Sequence, residues 1–195
     1  MEKLEQQLRF LLELDKQKKI VRQTYLADGS RKEGDAEHAW HLAVMAFLLA
    51  DYANEKIDVL KTIKMVLLHD VIEIDAGDTY AYDTCGLKTK QERELKAAER
   101  IYGMLPEEQK MEYRALWDEF EARETPEAKF ARALDNVQPI LLNHASGGRS
   151  WREHEVKKSQ VMNRNAYTHE GSETLWEYIR NIIEENVKQG NLQDA

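Results

Sequence analysis

Apolar residues recur every three or four positions through most of the chain, and the elements this pattern predicts are helices. Leu4, Leu8, Leu11 and Leu12 form one such stripe, with Leu14 beside it, in a helix that ends among the lysines of 16–19. Residues 20–35, IVRQTYLADGSRKEGD, hold no clean period and carry two glycines, which predicts a long loop. Asp35 is placed to cap the helix that follows. That helix, AEHAWHLAVMAFLLADYA, is apolar on most sides and is expected to be central. Asp58 is placed to cap the next, VLKTIKMVLLHDVIEI, and a loop follows at DAGDTYAYDTCG. Further helices are predicted near 89–104, near 106–122 with Pro106 at the first position, and near 126–145 with Pro126 after Thr125. Pro139 is expected to kink the last of these. SGGRSWREH reads as a turn into a helix near 151–165, and an amphipathic helix is predicted near 172–188. No alternating pattern is long enough to predict a sheet. The expected fold class is all-α, about seven or eight helices around one core, and 195 residues suit one domain over 1–195.

Composition narrows the function classes. The chain is 42% hydrophobic and 33% charged, enough for both a core and a solvated surface. A net charge of -8 argues against a nucleic-acid polymer as partner, because such surfaces are basic. Cys85 is the only cysteine, so neither an internal disulfide nor a cysteine metal cluster is expected. MEKLEQQLRFLLELDKQKK lacks the apolar stretch of a signal peptide, and no apolar run approaches the roughly 20 residues of a spanning helix. A cytoplasmic protein without a membrane partner is the expectation.

The chemistry starts at MVLLHDVIEID, residues 65–75, where a core-like run meets His69, Asp70, Glu73 and Asp75. Such groups cost several kcal/mol to bury unless paired or bound to a metal. DAEHAWHL places His38 and His41 at the start of an apolar helix, and ARALDNVQP places Asp135 inside another. Taken singly these have ordinary explanations: a hydrogen-bonded core histidine, which suits His41, or an aspartate acting as a cap or ion-pair partner. One divalent metal held by His38, His69, Asp70 and Asp135 explains the polar intrusions together. An open two-histidine, two-carboxylate set suits catalysis better than a closed structural site.

AEHAWHLAV, LLHDVIEIDAGD and ARALDNVQP resemble the motifs of the HD-domain metal-dependent phosphohydrolases, closest to the YfbR-like 5'-deoxynucleotidase branch. The resemblance runs from about Arg22 to Asp83 and returns near Asp135. It implies the all-α HD fold and metal ligation by His38, His69, Asp70 and Asp135. It also implies catalytic roles for Glu73 and Asp78 and a phosphate contact from Arg22. The implied activity is removal of phosphate from a small nucleotide, first of all a 5'-deoxyribonucleoside monophosphate. The same scaffold also hosts phosphodiesterases and pyrophosphohydrolases of signalling nucleotides, and non-catalytic metal- or nucleotide-binding forms. Gln23 stands where that branch has tryptophan, a departure on the nucleotide side of the pocket. Mn, Co, Fe, Mg and Zn all suit the ligand set.

Residues 143–165 admit two readings. His144, Arg149, Trp151 and Arg164 either cap the substrate, with Trp151 stacked on a base, or form a helical corner with Trp151 in the core. Tyr80 or Tyr82 is placed to line the pocket from TYAYD. A homodimer is the simplest association open to the amphipathic terminal helices.

Overall fold

Side-chain caps set the starts of three helices. Asp58 accepts from the Lys61 amide, Thr125 from Ala128 and Ser172 from Leu175. The computed structural model describes residues 1–83 and 86–194; Cys85 lies outside them. In chain order the helices are α1 (Glu2–Leu14), α2 (Asp35–Leu48), α3 (Val59–Leu68), α4 (Glu73–Ala76), α5 (Leu87–Tyr102), α6 (Glu107–Ala122), α7 (Pro126–Ala145), α8 (Arg149–Glu153), α9 (Lys158–Arg164), α10 (Thr168–Gly171) and α11 (Glu173–Lys188). Seven of these have ten residues or more, in keeping with the expected all-α class.

The core forms around α7. Phe130, Ala131, Leu134, Val137 and Ile140 are buried along it, and α2, α3, α6, α10 and α11 pack against it. Small residues let α10 come close: a Cβ on Gly171 would lie 2.6 Å from the Lys129 carbonyl carbon. Pro139 sits inside α7, which continues to Ala145. No helix among the described residues is long and apolar enough to cross a membrane.

Several expectations are corrected. Residues 20–35 are not a plain loop. Val21–Tyr25 (β1) pairs antiparallel with Lys32–Gly34 (β2), with Val21 opposite Gly34 and Tyr25 opposite Lys32. Strands of five and three residues are too short to show a period of two. Gly34, not Asp35, occupies the cap of α2, and the Glu37 carboxylate takes the Gly34 amide at 2.8 Å. Asp35 is thereby released to point inward. Pro106 precedes α6 rather than opening it. The α1 leucines lie outside the core: Leu4, Leu8, Leu11 and Leu12 are at least half exposed, and the helix buries Phe10 and Glu13 instead. The helix expected near 151–165 is two, α8 and α9, parted where Glu155 adopts φ 50°.

Candidate metal centre

α3 ends at Leu68, and His69 closes its last turn. The backbone then tightens. Glu73 N donates to Asp70 O, Ile74 N to Val71 O and Asp75 N to Ile72 O, a 3-10 pattern of bonds three residues apart. The helix expected over VLKTIKMVLLHDVIEI therefore stops at Leu68, and His69 and Glu73 do not share one continuous helix. Asp75 leaves the site altogether and pairs with Arg100 on α5. From the other sides α2 delivers His38 and α7 delivers Asp135, both buried.

Four donor atoms meet. Asp70 Oδ2 lies 3.0 Å from His69 Nε2 and 3.9 Å from His38 Nε2. Asp135 Oδ1 lies 3.1 Å from His38 Nε2 and 3.8 Å from His69 Nε2. Ligands about 2.0–2.2 Å from a first-row metal are about 3–4 Å from one another. The His38, His69 and Asp135 atoms, all within 4.8 Å of one another, suit one ion, while Asp70 reaches both histidines and also groups with Asp35 and Glu73.

The tautomers fit as well. His69 Nδ1 is 2.8 Å from the Val66 carbonyl, which can only accept, so Nδ1 carries the proton. His69 Nε2 is left buried with no hydrogen-bond partner. His38 Nδ1 faces Gln138 Oε1 at 3.1 Å, and Gln138 Nε2 donates to Glu33 Oε1 at 2.6 Å. Gln138 Nε2 also lies 3.1 Å from Nδ1 of His41, a hydrogen-bonded structural histidine. Both Nε2 atoms thus face carboxylate oxygens, an arrangement that favours positive charge between them, a proton or a metal cation. Burial and the Arg22 charge push His38 down to about 4, which keeps the imidazole neutral, as a metal ligand must be. Burial also opposes charge on His69, but Asp70 and Asp135 outweigh it and raise that group well above its usual value. The two aspartates are held low against burial by the histidines, with Arg22 acting on Asp70 and Arg132 on Asp135. Arg132 bonds Asp135 Oδ2 at 3.0 Å and lies over the Phe120 ring, leaving Oδ1 to the imidazoles.

A second layer of charge lies beside this centre. Arg22, on β1, bonds Asp35 Oδ1 at 3.1 Å and Asp70 Oδ2 at 2.8 Å, and its Nε lies 3.9 Å from Glu33. Gln17 also donates to Asp35 at 2.7 Å. Burial lifts Asp35 and Glu33 to about 7 against the Arg22 charge. Burial, reinforced by Asp70, Asp35 and Asp78, puts Glu73 well above the carboxylate range, and Glu73 Oε2 has no partner.

One cavity opens over both layers. Arg22, His69, Asp70, Glu73, Asp78 and Asp135 line it, together with Tyr80 and Trp151. Asp78 is half-buried there, and burial raises its carboxyl. Tyr80 packs edge-on to Tyr82 and lies 4.6 Å from the His154 ring. Trp151 is buried in the core on α8, as the helical-corner reading expected, and it also lines the cavity. Arg164 reaches within 3.8 Å of Asp135 Oδ2, whereas Arg149 bonds Glu153 and the Gly29 carbonyl outside the lining. His144 turns to Asn186 at 2.9 Å and does not line the cavity.

Sequence reasoning missed Glu33, Asp35, Arg132 and Gln138. The last two lie three residues either side of Asp135, hence on or beside its helical face, and that spacing was the available signal. Glu33 and Asp35 carried none, being carboxylates in what read as a solvated loop.

Three segments of a helical fold thus bring buried His38, His69 and Asp135 together with half-buried Asp70, a histidine and aspartate cluster able to hold a metal. The chain belongs to the HD domain family, whose model matches residues 14–176. It is 47% identical to a solved structure described as a predicted metal-dependent phosphohydrolase from Magnetospirillum magnetotacticum MS-1. That alignment covers 98% of this chain and 99% of that one, with a TM-score of 0.93. It is also 32% identical to 5'-deoxynucleotidase HDDC2 of Mus musculus, over 69% of this chain and 66% of the relative. The Homo sapiens protein of the same name is 30% identical over 69% of this chain and 65% of its own length. The match thus spans just under two thirds of these curated relatives.

Proposed function

We propose that this chain is a metal-dependent phosphomonoesterase that removes phosphate from a nucleoside 5'-monophosphate, with deoxyribonucleotides as the first candidates. The observation that carries the reading is the buried, unpartnered Nε2 of His69, aimed at two aspartates beside an arginine in one cavity. The names borne by the HD relatives support the substrate class.

His38, His69, Asp70 and Asp135 would hold one divalent ion from among Mn, Co, Fe, Mg and Zn. Bound there, it would supply the positive charge that acidifies water and offsets phosphate charge. Arg22 lines the cavity, and Asp35 and Asp70 fix its Nη1. That geometry suits a phosphate oxygen and charge stabilisation as the P–O bond breaks. Glu73 lines the cavity beside Asp70 with its Oε2 unpaired, and as a carboxylate beside a bound cation it would be suited to take a proton from the attacking water. Asp78, whose carboxyl burial also raises, is suited to hand a proton to the leaving sugar oxygen. Tyr80 and Trp151 would flank the nucleoside. The exposed α1 leucines, with Trp40, Phe47 and Leu48 on α2, support a homodimer.

The test is phosphate release from deoxynucleoside and nucleoside monophosphates, cyclic nucleotides and nucleoside triphosphates, with each of the five metals. The monophosphates are the expected substrates. Preferential cleavage of a diester or a pyrophosphate bond would replace this reading with the corresponding activity. No turnover of any compound would leave a binding protein.

A further inference from the structure

Arg22, Lys90, Arg132 and Arg164 bring positive charge to the cavity over the metal centre. Three of them are committed to carboxylates. Arg22 bonds Asp35 and Asp70, Arg132 bonds Asp135 and Glu121, and Lys90 lies 3.3 Å from Glu94. Arg164 differs. Among the described residues it makes no hydrogen bond, and its one ion pair is a long contact of 3.8 Å from Nη2 to Asp135 Oδ2. That oxygen is already bonded by Arg132 at 3.0 Å, and Asp135 Oδ1 faces the two imidazoles. Asp135 is therefore matched without Arg164, which is a surplus cation.

Arg164 is also the accessible arginine of the cavity. Its side chain is 37% exposed, against 14% for Arg22 and 9% for Arg132. The backbone that carries it is fixed on both sides. Arg164 ends α9, where Val161 is buried, and the buried Asn165 that follows donates its side-chain amide to the Val161 carbonyl at 2.8 Å.

A guanidinium with open donors on a fixed helix end suits an anion, and its planar fork matches phosphate oxygens. Its place says which part of a nucleotide it meets. Asp135 is one of the proposed metal ligands, so Arg164 Nη2 lies one carboxylate away from the centre at which the phosphate has to bind. Arg22 reaches the same cluster through Asp70. The two arginines arrive by different carboxylates and can serve different phosphate oxygens. A terminal phosphate offers three acceptor oxygens and about two negative charges at neutral pH. A diester keeps two such oxygens and a single charge.

We propose that Arg164 is a specificity-determining residue that contacts a terminal phosphate oxygen on the Asp135 side of the centre, while Arg22 serves the Asp70 side, so that the pair selects phosphate monoesters over diesters. This rests on the nucleotide phosphatase reading above.

The experiment compares Arg164→Met and Arg164→Lys with the wild type, as metal-loaded full-length protein of equal helicity. It reads metal content, affinity for inorganic phosphate by calorimetry, and kcat/KM for dTMP and for the diester thymidine 5'-(p-nitrophenyl phosphate). Metal content is expected to stay the same in both variants. In Arg164→Met, kcat/KM for dTMP should fall about 100-fold, as when one donor to developing charge is removed. Phosphate should bind about tenfold more weakly or worse, and the dTMP to diester ratio should fall by about tenfold or more. Arg164→Lys should recover part of each loss. Unchanged phosphate affinity in Arg164→Met would overturn the contact, whether or not dTMP is cleaved. Equal losses for dTMP and the diester, or a wild type that cleaves both equally well, would overturn the selection. Loss of metal from both variants would overturn it as well, since Arg164 would then support Asp135 and not the substrate. A wild type that binds phosphate through Arg164 but hydrolyses neither compound would uphold the contact and remove the phosphatase reading.

Discussion

His38 Nδ1 lies 3.1 Å from Gln138 Oε1, and this contact decides which nitrogen of the imidazole is open to a metal. Gln138 is itself oriented by its bond to Glu33, so three buried side chains form one chain behind the proposed metal ligand His38. Such support is worth about 10–100-fold in metal affinity. Gln138→Leu is expected to weaken metal binding by that factor in a chelator competition titration while circular dichroism still reports a folded helical protein. Unchanged affinity would show that His38 needs no such support.

Arg22 stands between Asp35 and Asp70, with Glu33 close by. Removing one partner of a buried charge set strands the others, at a cost of about 3 kcal/mol. Arg22→Ala is expected to lose about that much stability in denaturant unfolding without metal. The loss should be smaller with saturating metal, because the bound cation restores positive charge near Asp70. An equal loss in both conditions would separate Arg22 from the metal centre.

Gly171 lets α10 lie against the α7 backbone. An added Cβ would sit 2.6 Å from the Lys129 carbonyl carbon and 2.9 Å from Ala133 Cβ, and neither can move as a flexible side chain would. Gly171→Ala is expected to cost about 2 kcal/mol, or roughly 4–8 °C in Tm by calorimetry.

Glu13 accepts from Lys16 at 2.7 Å and Arg100 at 2.6 Å, and these bonds pull its pKa below 4.5 despite the opposing effect of burial. The unfolded chain then binds the proton more readily than the folded one. The contribution is complete above pH 4.5 and is lost as pH falls through the lower, folded value. Because Lys16 and Arg100 are partly exposed, the contribution is about 1 kcal/mol and weakens with salt. Glu13→Gln is expected to lower Tm at pH 7 and to flatten its dependence on pH below 4.5, measured by thermal melts across pH.

The legible residues were the polar ones set where an apolar period demanded otherwise. His69 and Asp70 after MVLL, and Asp135 within α7, stood out because burying them needs a partner. Glu33 and Asp35 gave no such sign, since carboxylates in an apparent loop read as solvated. Asp35 suited a helix cap by type, but Gly34 and Glu37 supplied the cap instead. The α1 leucines predicted a helix correctly and its buried face wrongly, because a stripe does not say what lies against it. The break between α8 and α9 rests on a glutamate in a left-handed conformation, Glu155, where composition usually points to glycine.

On the function proposed above, phosphate hydrolysis depends on a metal held by His38, His69, Asp70 and Asp135. The most direct measurement is metal content by mass spectrometry, together with phosphate release from dCMP, for wild-type and Asp70→Ala proteins of equal helicity. The expected result is that both readouts collapse together in Asp70→Ala. Full metal-dependent phosphate release from Asp70→Ala would contradict the assignment.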